Sequence, residues 1–223
     1  VIIMNRKAVI RILSMVMLLL SPLCIHATKF IKLSIIDKDY LMLQFRDGEV
    51  RYRDDGTGSS AYLGHTFVEG DDTLKVFGQR LNTSIAASAE EWTISSKDDS
   101  TFGNQKARMV SRKSKPMNTD NTLTSELDHW IFLQLPQSMK QGCTYSVTIP
   151  SGLNSDIKEA EVKFDIWNSQ SEAVHVNILG YVPQEPHKAA DLYLWLGDGG
   201  QRNYSSFEGK NVYLYNVNTK KSA

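Results

Sequence analysis

From Thr28 onward, apolar residues in this chain recur at every second position, a period that builds strands with two unlike faces and does not build helices. Leu41, Leu43 and Phe45 alternate with Met42, Gln44 and Arg46. Ile131, Leu133 and Leu135 share one face until Pro136 stops the strand. Tyr145, Val147 and Ile149 repeat the device before Pro150-Ser151-Gly152, and Ala160, Val162, Phe164 and Ile166 make the cleanest alternation. After Asp47-Gly48 the pattern resumes at Val50 and Tyr52, so residues 40–53 are expected to form a β-hairpin about that turn. Leu74 to Phe77, Trp92 to Ile94 and Ala107 to Val110 are shorter strand candidates. Helix signals are confined to one or two turns in Ile85 to Glu91 and a single turn in Pro136 to Lys140. Many short strands divided by Gly, Pro, Asn and Asp turns predict an all-β chain built from antiparallel sandwiches.

The N-terminus has a different logic. Arg6, Lys7 and Arg11 precede an apolar run from Ile12 to Leu20, and Ile25-His26-Ala27 offers a small-residue cleavage site before Thr28. That order predicts a secretory signal peptide over residues 1–27, and the run is shorter than the roughly 20 residues a spanning helix requires. The mature chain is therefore expected to be exported, to the periplasm, the cell surface or the medium, and to meet a membrane only through its signal. Cys24 is not read as a lipidation site, because Leu23 is bulkier than the small residue that must precede a lipidated Cys. With Cys24 removed, Cys143 stands alone and no intramolecular disulfide can form.

Residues 1–27 carry three of the 25 basic residues and none of the 25 acidic ones, which leaves 22 against 25, or −3. A faintly acidic chain without a basic cluster argues against nucleic acid as a partner.

The residues that could carry chemistry are scattered. The pairs Asp54-Asp55, Asp71-Asp72 and Asp98-Asp99 each sit beside Gly, Ser or Thr, the setting of turn-forming carboxylates, and they lack the spaced oxygen ligands of a calcium loop. His65, His129, His175 and His187 have no ligand spacing, and no second Cys accompanies Cys143. No Gly-x-Ser-x-Gly occurs, and Asp198-Gly199-Gly200 lacks the Lys-Ser/Thr and helix of a phosphate loop. No catalytic, cofactor-binding or metal-ligating residue is assigned, and no cofactor is expected.

Exposed aromatic rings are the remaining candidates, because the face of a pyranose stacks on them. Trp130 and Phe132 share one strand face, Trp167 extends the polar face of Glu161, Lys163 and Asp165, and Tyr193 and Trp195 alternate with Leu192, Leu194 and Leu196. Sandwiches also need large residues on inner faces and at domain joints, so packing is the expected role, with Tyr193 and Trp195 against a neighbouring domain.

The stretch from Ser171 to Ala190, SEAVHVNILGYVPQEPHKAA, runs an alternation of Val174, Val176 and Ile178 into Gly180-Tyr181-Val182-Pro183. It resembles the first strand and turn of the immunoglobulin-like domain that precedes the catalytic barrel in family 9 glycoside hydrolases, and departs from it at Ile178, where Gln is usual. Leu135 to Ile166 resembles, less specifically, the last strands of bacterial immunoglobulin-like modules. Asn168-Ser169-Gln170-Ser171, four small polar residues between two strand patterns, marks a domain boundary, and the resemblance implies an immunoglobulin-like sandwich over residues 28–168. Residues 171–223 would then form part of a second such domain, with strands at Ala173–Leu179, Ala190–Leu196 and Asn211–Tyr215. These 53 residues are about half of the roughly 100 such a domain needs. The implied function is the exported, non-catalytic N-terminal region of a polysaccharide-degrading hydrolase. Its catalytic barrel, the implied partner together with polysaccharide, lies outside this chain. The alternative is a carbohydrate-binding or adhesion protein made of sandwiches alone.

Overall fold

The computed structural model describes residues 27–53, 73–120, 122–182, 184–216, 218–219 and 221–222. The described chain is mostly β, with several antiparallel sheets and one short helix. Its strands are β1 (Lys29–Asp37), β2 (Tyr40–Asp47), β3 (Glu49–Arg53), β4 (Thr73–Phe77), β5 (Thr93–Ser95), β6 (Gln105–Lys106), β7 (Met109–Thr119) and β8 (Ser125–Gln134). They continue with β9 (Thr144–Thr148), β10 (Glu159–Lys163), β11 (Val174–Val176), β12 (Ala190–Leu192), β13 (Tyr215–Asn216) and β14 (Lys221–Ser222). The helix α1 is a single turn, Thr83–Ala86, capped by the Asn82 side chain, which accepts from the Ile85 N–H at 3.2 Å.

Two four-stranded sheets carry the fold: a first in the order β1-β2-β8-β7 and a second in the order β10-β9-β5-β6. Their inward faces close on one apolar core. In the first sheet Leu41 and Leu43 of β2 lie opposite Leu133 and Ile131 of β8, all fully buried. In the second, Ile94 of β5 and Ala160 of β10 flank Val147 of β9. Trp92, Phe102, Tyr145 and Leu153 fill the space between the sheets, and the Trp92 indole N–H is satisfied by the Ala86 carbonyl at 3.0 Å. Trimming any one of the fully buried Leu or Ile side chains to Ala costs about 2–5 kcal/mol, since the walls cannot all collapse on the void.

Strand β2 explains the layering. Its first four residues, Tyr40 to Leu43, are buried without alternation, while its second half alternates. The first half is covered on both faces. Leu41 and Leu43 face the second sheet, whereas Tyr40 and Met42 join Ile36 and Phe132 beneath Ala173 and Leu196, with Leu194 and Tyr204 packed alongside. The C-terminal stretch is thus a third layer over half of the first sheet's outer face.

Three expectations are corrected. The hairpin over residues 40–53 does not form. Strand β2 is paired on one edge by β1 and on the other by β8, so it has no edge left for β3, which pairs with β4 instead. Gly48, at φ 80°, turns the chain out of the sheet, a conformation Gly adopts at little cost. The segment Pro136 to Lys140 forms bends rather than a helical turn. In the C-terminal stretch the strands are shorter than expected: β11 and β12 form a three-residue ribbon, and of Asn211–Tyr215 only Tyr215 enters a strand.

Candidate functional site

The C-terminal stretch is fastened to the first sheet by one face. Ser171 forms a parallel bridge with Ile35, its hydroxyl donates to the Ile36 carbonyl, and Ala173 is fully buried beside them. Further along, Asp198 accepts the Arg112 N–H of edge strand β7 at 2.7 Å. Gly197 permits that approach: it holds φ at 72°, and a Cβ there would lie 2.2 Å from the Arg112 carbonyl oxygen. Asp198-Gly199-Gly200 is therefore a docking turn.

Arg202 is the central fastener. Its side chain is 12% exposed, its Nε donates to Asp37 at 3.0 Å, and its Nη2 lies 3.7 Å from Asp39. The guanidinium sits between two rings, 4.3 Å from the Tyr40 centroid and 5.1 Å from that of Tyr204. Burial and the charge of Asp37 push the Tyr204 hydroxyl well above the ordinary tyrosine range, and it has no partner among the described residues.

Much of this stretch nevertheless stays open and apolar. Val174 and Val176 of β11 and Leu192 of β12 are exposed, as are Ile178, Leu179 and Val182. Tyr193 and Trp195 follow β12 and are 59% and 61% exposed. Tyr193 stacks on His175 with centroids 3.9 Å apart, and the His175 Nε2 lies 3.1 Å from the Tyr193 carbonyl. An open cleft of about 630 Å³ is lined by Tyr193 and Trp195, by Gln201 and Asn203, and also by the docked Arg202 and Tyr204. Tyr181 donates to the Ala189 carbonyl at 2.6 Å and so closes the loop that Gly180 opens at φ 75°.

Elsewhere the polar residues hold the fold. Asp47, His129 and Ser114 form a chain: the His129 Nε2 lies 2.9 Å from Asp47 and its Nδ1 lies 2.8 Å from the Ser114 hydroxyl. An ionised Asp47 can only accept, so Nε2 carries the proton. The order resembles a nucleophilic triad, but the ring is turned the other way round, with Nδ1 toward the serine. Asp47 is also committed to Arg80 and to the N–H groups of Leu81 and Leu127. The main clefts lie away from Ser114. This chain is a satisfied plug at one end of the core. Sequence reading missed it, although its signal was present: Asp47 continues the inward phase of Leu43 and Phe45, and His129 that of Ile131 and Leu133.

The other candidates fall as follows. Asp98 accepts the Thr144 N–H at 2.9 Å, and Asp99 binds Lys140, Thr101 and the Tyr145 hydroxyl. Both are turn carboxylates that tie β9 in place. Asp54-Asp55, Asp71-Asp72 and His65 lie outside the described residues. His187 is exposed, and Cys143 is half-buried against the core. Phe132 is buried under the third layer, Trp130 is half-buried below the Lys113 ammonium, and Trp167 stacks on Tyr215 at 4.3 Å. Among the described residues no group of three or more His, Cys, Asp or Glu could hold a metal ion. No described helix is long and apolar enough to cross a membrane. Neither a family model, nor a curated protein, nor a solved structure matches this chain.

Proposed function

We propose that this chain is the exported, non-catalytic N-terminal region of a family 9-like, polysaccharide-degrading glycoside hydrolase. In this reading residues 28–168 are an immunoglobulin-like sandwich and residues 171–223 belong to a second immunoglobulin-like domain, both serving as scaffold for a catalytic barrel. One observation carries the reading. The stretch from Ser171 to Phe207 is locked to the first sheet and still leaves apolar strand residues, Val174, Val176 and Leu192, exposed. A surface so apolar suits cover by further protein.

Two details support the immunoglobulin-like part. Tyr145 stands second in β9, and its hydroxyl accepts the Lys140 N–H five residues upstream at 2.7 Å. That is the pattern of a tyrosine corner, and fully buried Val147 occupies the place two residues on where antibody domains carry a Cys. Thr28 is fully buried and bridged to Ser155, which ties the start of the first sheet to the turn before β10.

Reading the coding sequence past Ala223 tests the proposal. A helix-rich continuation of several hundred residues with paired inward carboxylates supports it. Further β modules, or a stop codon, would favour the adhesion or carbohydrate-binding alternative.

A further inference from the structure

We propose that the outward face of the hairpin from Leu192 to Tyr204 is a binding site for a neutral hexopyranose chain, with Trp195 as its stacking platform. The hairpin is a defined element. Trp195 and Gln201 face one another in an antiparallel bridge, the Leu196 N–H donates to the Gly200 carbonyl at 2.7 Å, and the Arg202 N–H donates to that of Leu194 at 2.9 Å. Alternation then sorts the side chains. Leu194, Leu196, Arg202 and Tyr204 turn to the first sheet and anchor the hairpin there. Tyr193 and Trp195 turn outward on one arm, and the exposed Gln201 and Asn203 lie on the other.

The outward face therefore sets two aromatic rings across from two carboxamides, and Glu208 lines the same cleft. A pyranose has the matching character: a C–H face that lies on an indole and hydroxyls around its edge that bond to planar amide and carboxylate groups. Beside the Trp195 platform, Tyr193 is held before any ligand arrives by its stack on His175 and by the His175 bond to its carbonyl. A cleft of about 630 Å³ falls within the ordinary range of ligand sites, roughly 300–1,000 Å³.

Other occupants fit less well. An added strand would bind through the open edges of the two-stranded β11–β12 ribbon and would leave the rings and carboxamides of this face unused. An apolar helix would leave Gln201, Asn203 and Glu208 facing hydrocarbon. An acidic sugar would want a cation, and the arginine of this cleft is matched by Asp37 and Asp39.

The assignment is independent of the coding-sequence test above, since it concerns only side chains present in this chain. The experiment is affinity electrophoresis of the whole chain in native gels containing mixed-linkage β-glucan, xyloglucan or galactomannan, with polygalacturonate as the anionic control. At least one neutral polysaccharide should retard the protein, and its free oligosaccharide should compete. Trp195→Ala should weaken the retardation about tenfold and Gln201→Ala several-fold, at unchanged melting temperature, while Trp195→Phe keeps part of it. The proposal is overturned if none of the three neutral polymers retards the chain, if Trp195→Ala and Gln201→Ala migrate like the parent, or if polygalacturonate is bound more tightly than all three.

Discussion

The guanidinium of Arg202 lies 4.3 Å from the centre of the Tyr40 ring, and this contact joins the C-terminal stretch to the turn at which β1 becomes β2. The same guanidinium is bonded to Asp37, so one side chain provides cation, donor and apolar cover at a single joint.

Arg202→Ala should destabilise the protein by about 3 kcal/mol, because it leaves the Asp37 carboxylate buried without its partner. Arg202→Lys should recover only a small part, since an ammonium cannot lie flat on Tyr40 while reaching Asp37. Thermal melts of the two variants check this, with equal stability in Arg202→Ala and the parent as the adverse result.

Gly197→Ala should loosen the docking turn. The residue sits at φ 72°, where a side chain costs about 1–2 kcal/mol, and its new methyl group would overlap the Arg112 carbonyl. Limited proteolysis should then cut first within the Leu194–Tyr204 hairpin, whereas Gly103→Ala, free of positive φ and with nothing within 4 Å of its new methyl group, should resist like the parent.

Limited proteolysis of the parent chain addresses the proposed division. First cuts at Asn168–Ser171 agree with two units meeting there; first cuts inside Tyr145–Ile166 place the boundary elsewhere.

The acid limb of stability should depend on Asp47 and Asp120. Burial pushes the Asp47 carboxyl up, but the bonds from His129, Leu81 and Arg80 together outweigh it and hold it below the ordinary 3.8. Asp120 is lowered to about 2, chiefly by the Thr122 hydroxyl, against some burial and with the N–H groups of Thr124, Thr122 and Val76 adding to the effect. Because both folded values lie below the unfolded one, the stability they add is complete above about pH 4 and is lost as pH falls toward 2. Asp47→Asn and Asp120→Asn should each flatten that limb in denaturant titrations between pH 2 and 5. An unchanged slope in both would contradict the assignment.

The sequence made the central strands legible because burial imposes phase. In β8 and β9 the core residues Ile131, Leu133, Tyr145 and Val147 keep a period of two, and the same phase put Phe132 and Trp130 on the face opposite Ile131. Strand β1 was not legible: register shifts between Phe30 and Lys32 and between Ile35 and Asp37 break its period. Most of β7 was missed because it is a polar edge, Ser111 to Thr119, whose exposed lysines and proline discourage further pairing and so hide the strand signal. The outward phase of Tyr193 and Trp195 could be read directly, but the Arg202 joint could not. Its partners Asp37 and Tyr40 lie far away in the chain, and nothing local to Arg202 marks it as buried.

The account is tested most directly by measuring reducing-sugar release from cellulose, xyloglucan and mixed-linkage glucan. The assay compares the chain alone with the natural polypeptide that contains it. We predict no turnover by the chain alone and turnover by the longer polypeptide, dependent on carboxylates beyond Ala223. Hydrolysis by the chain alone, abolished by a single Asp or Glu substitution within it, would contradict the scaffold role.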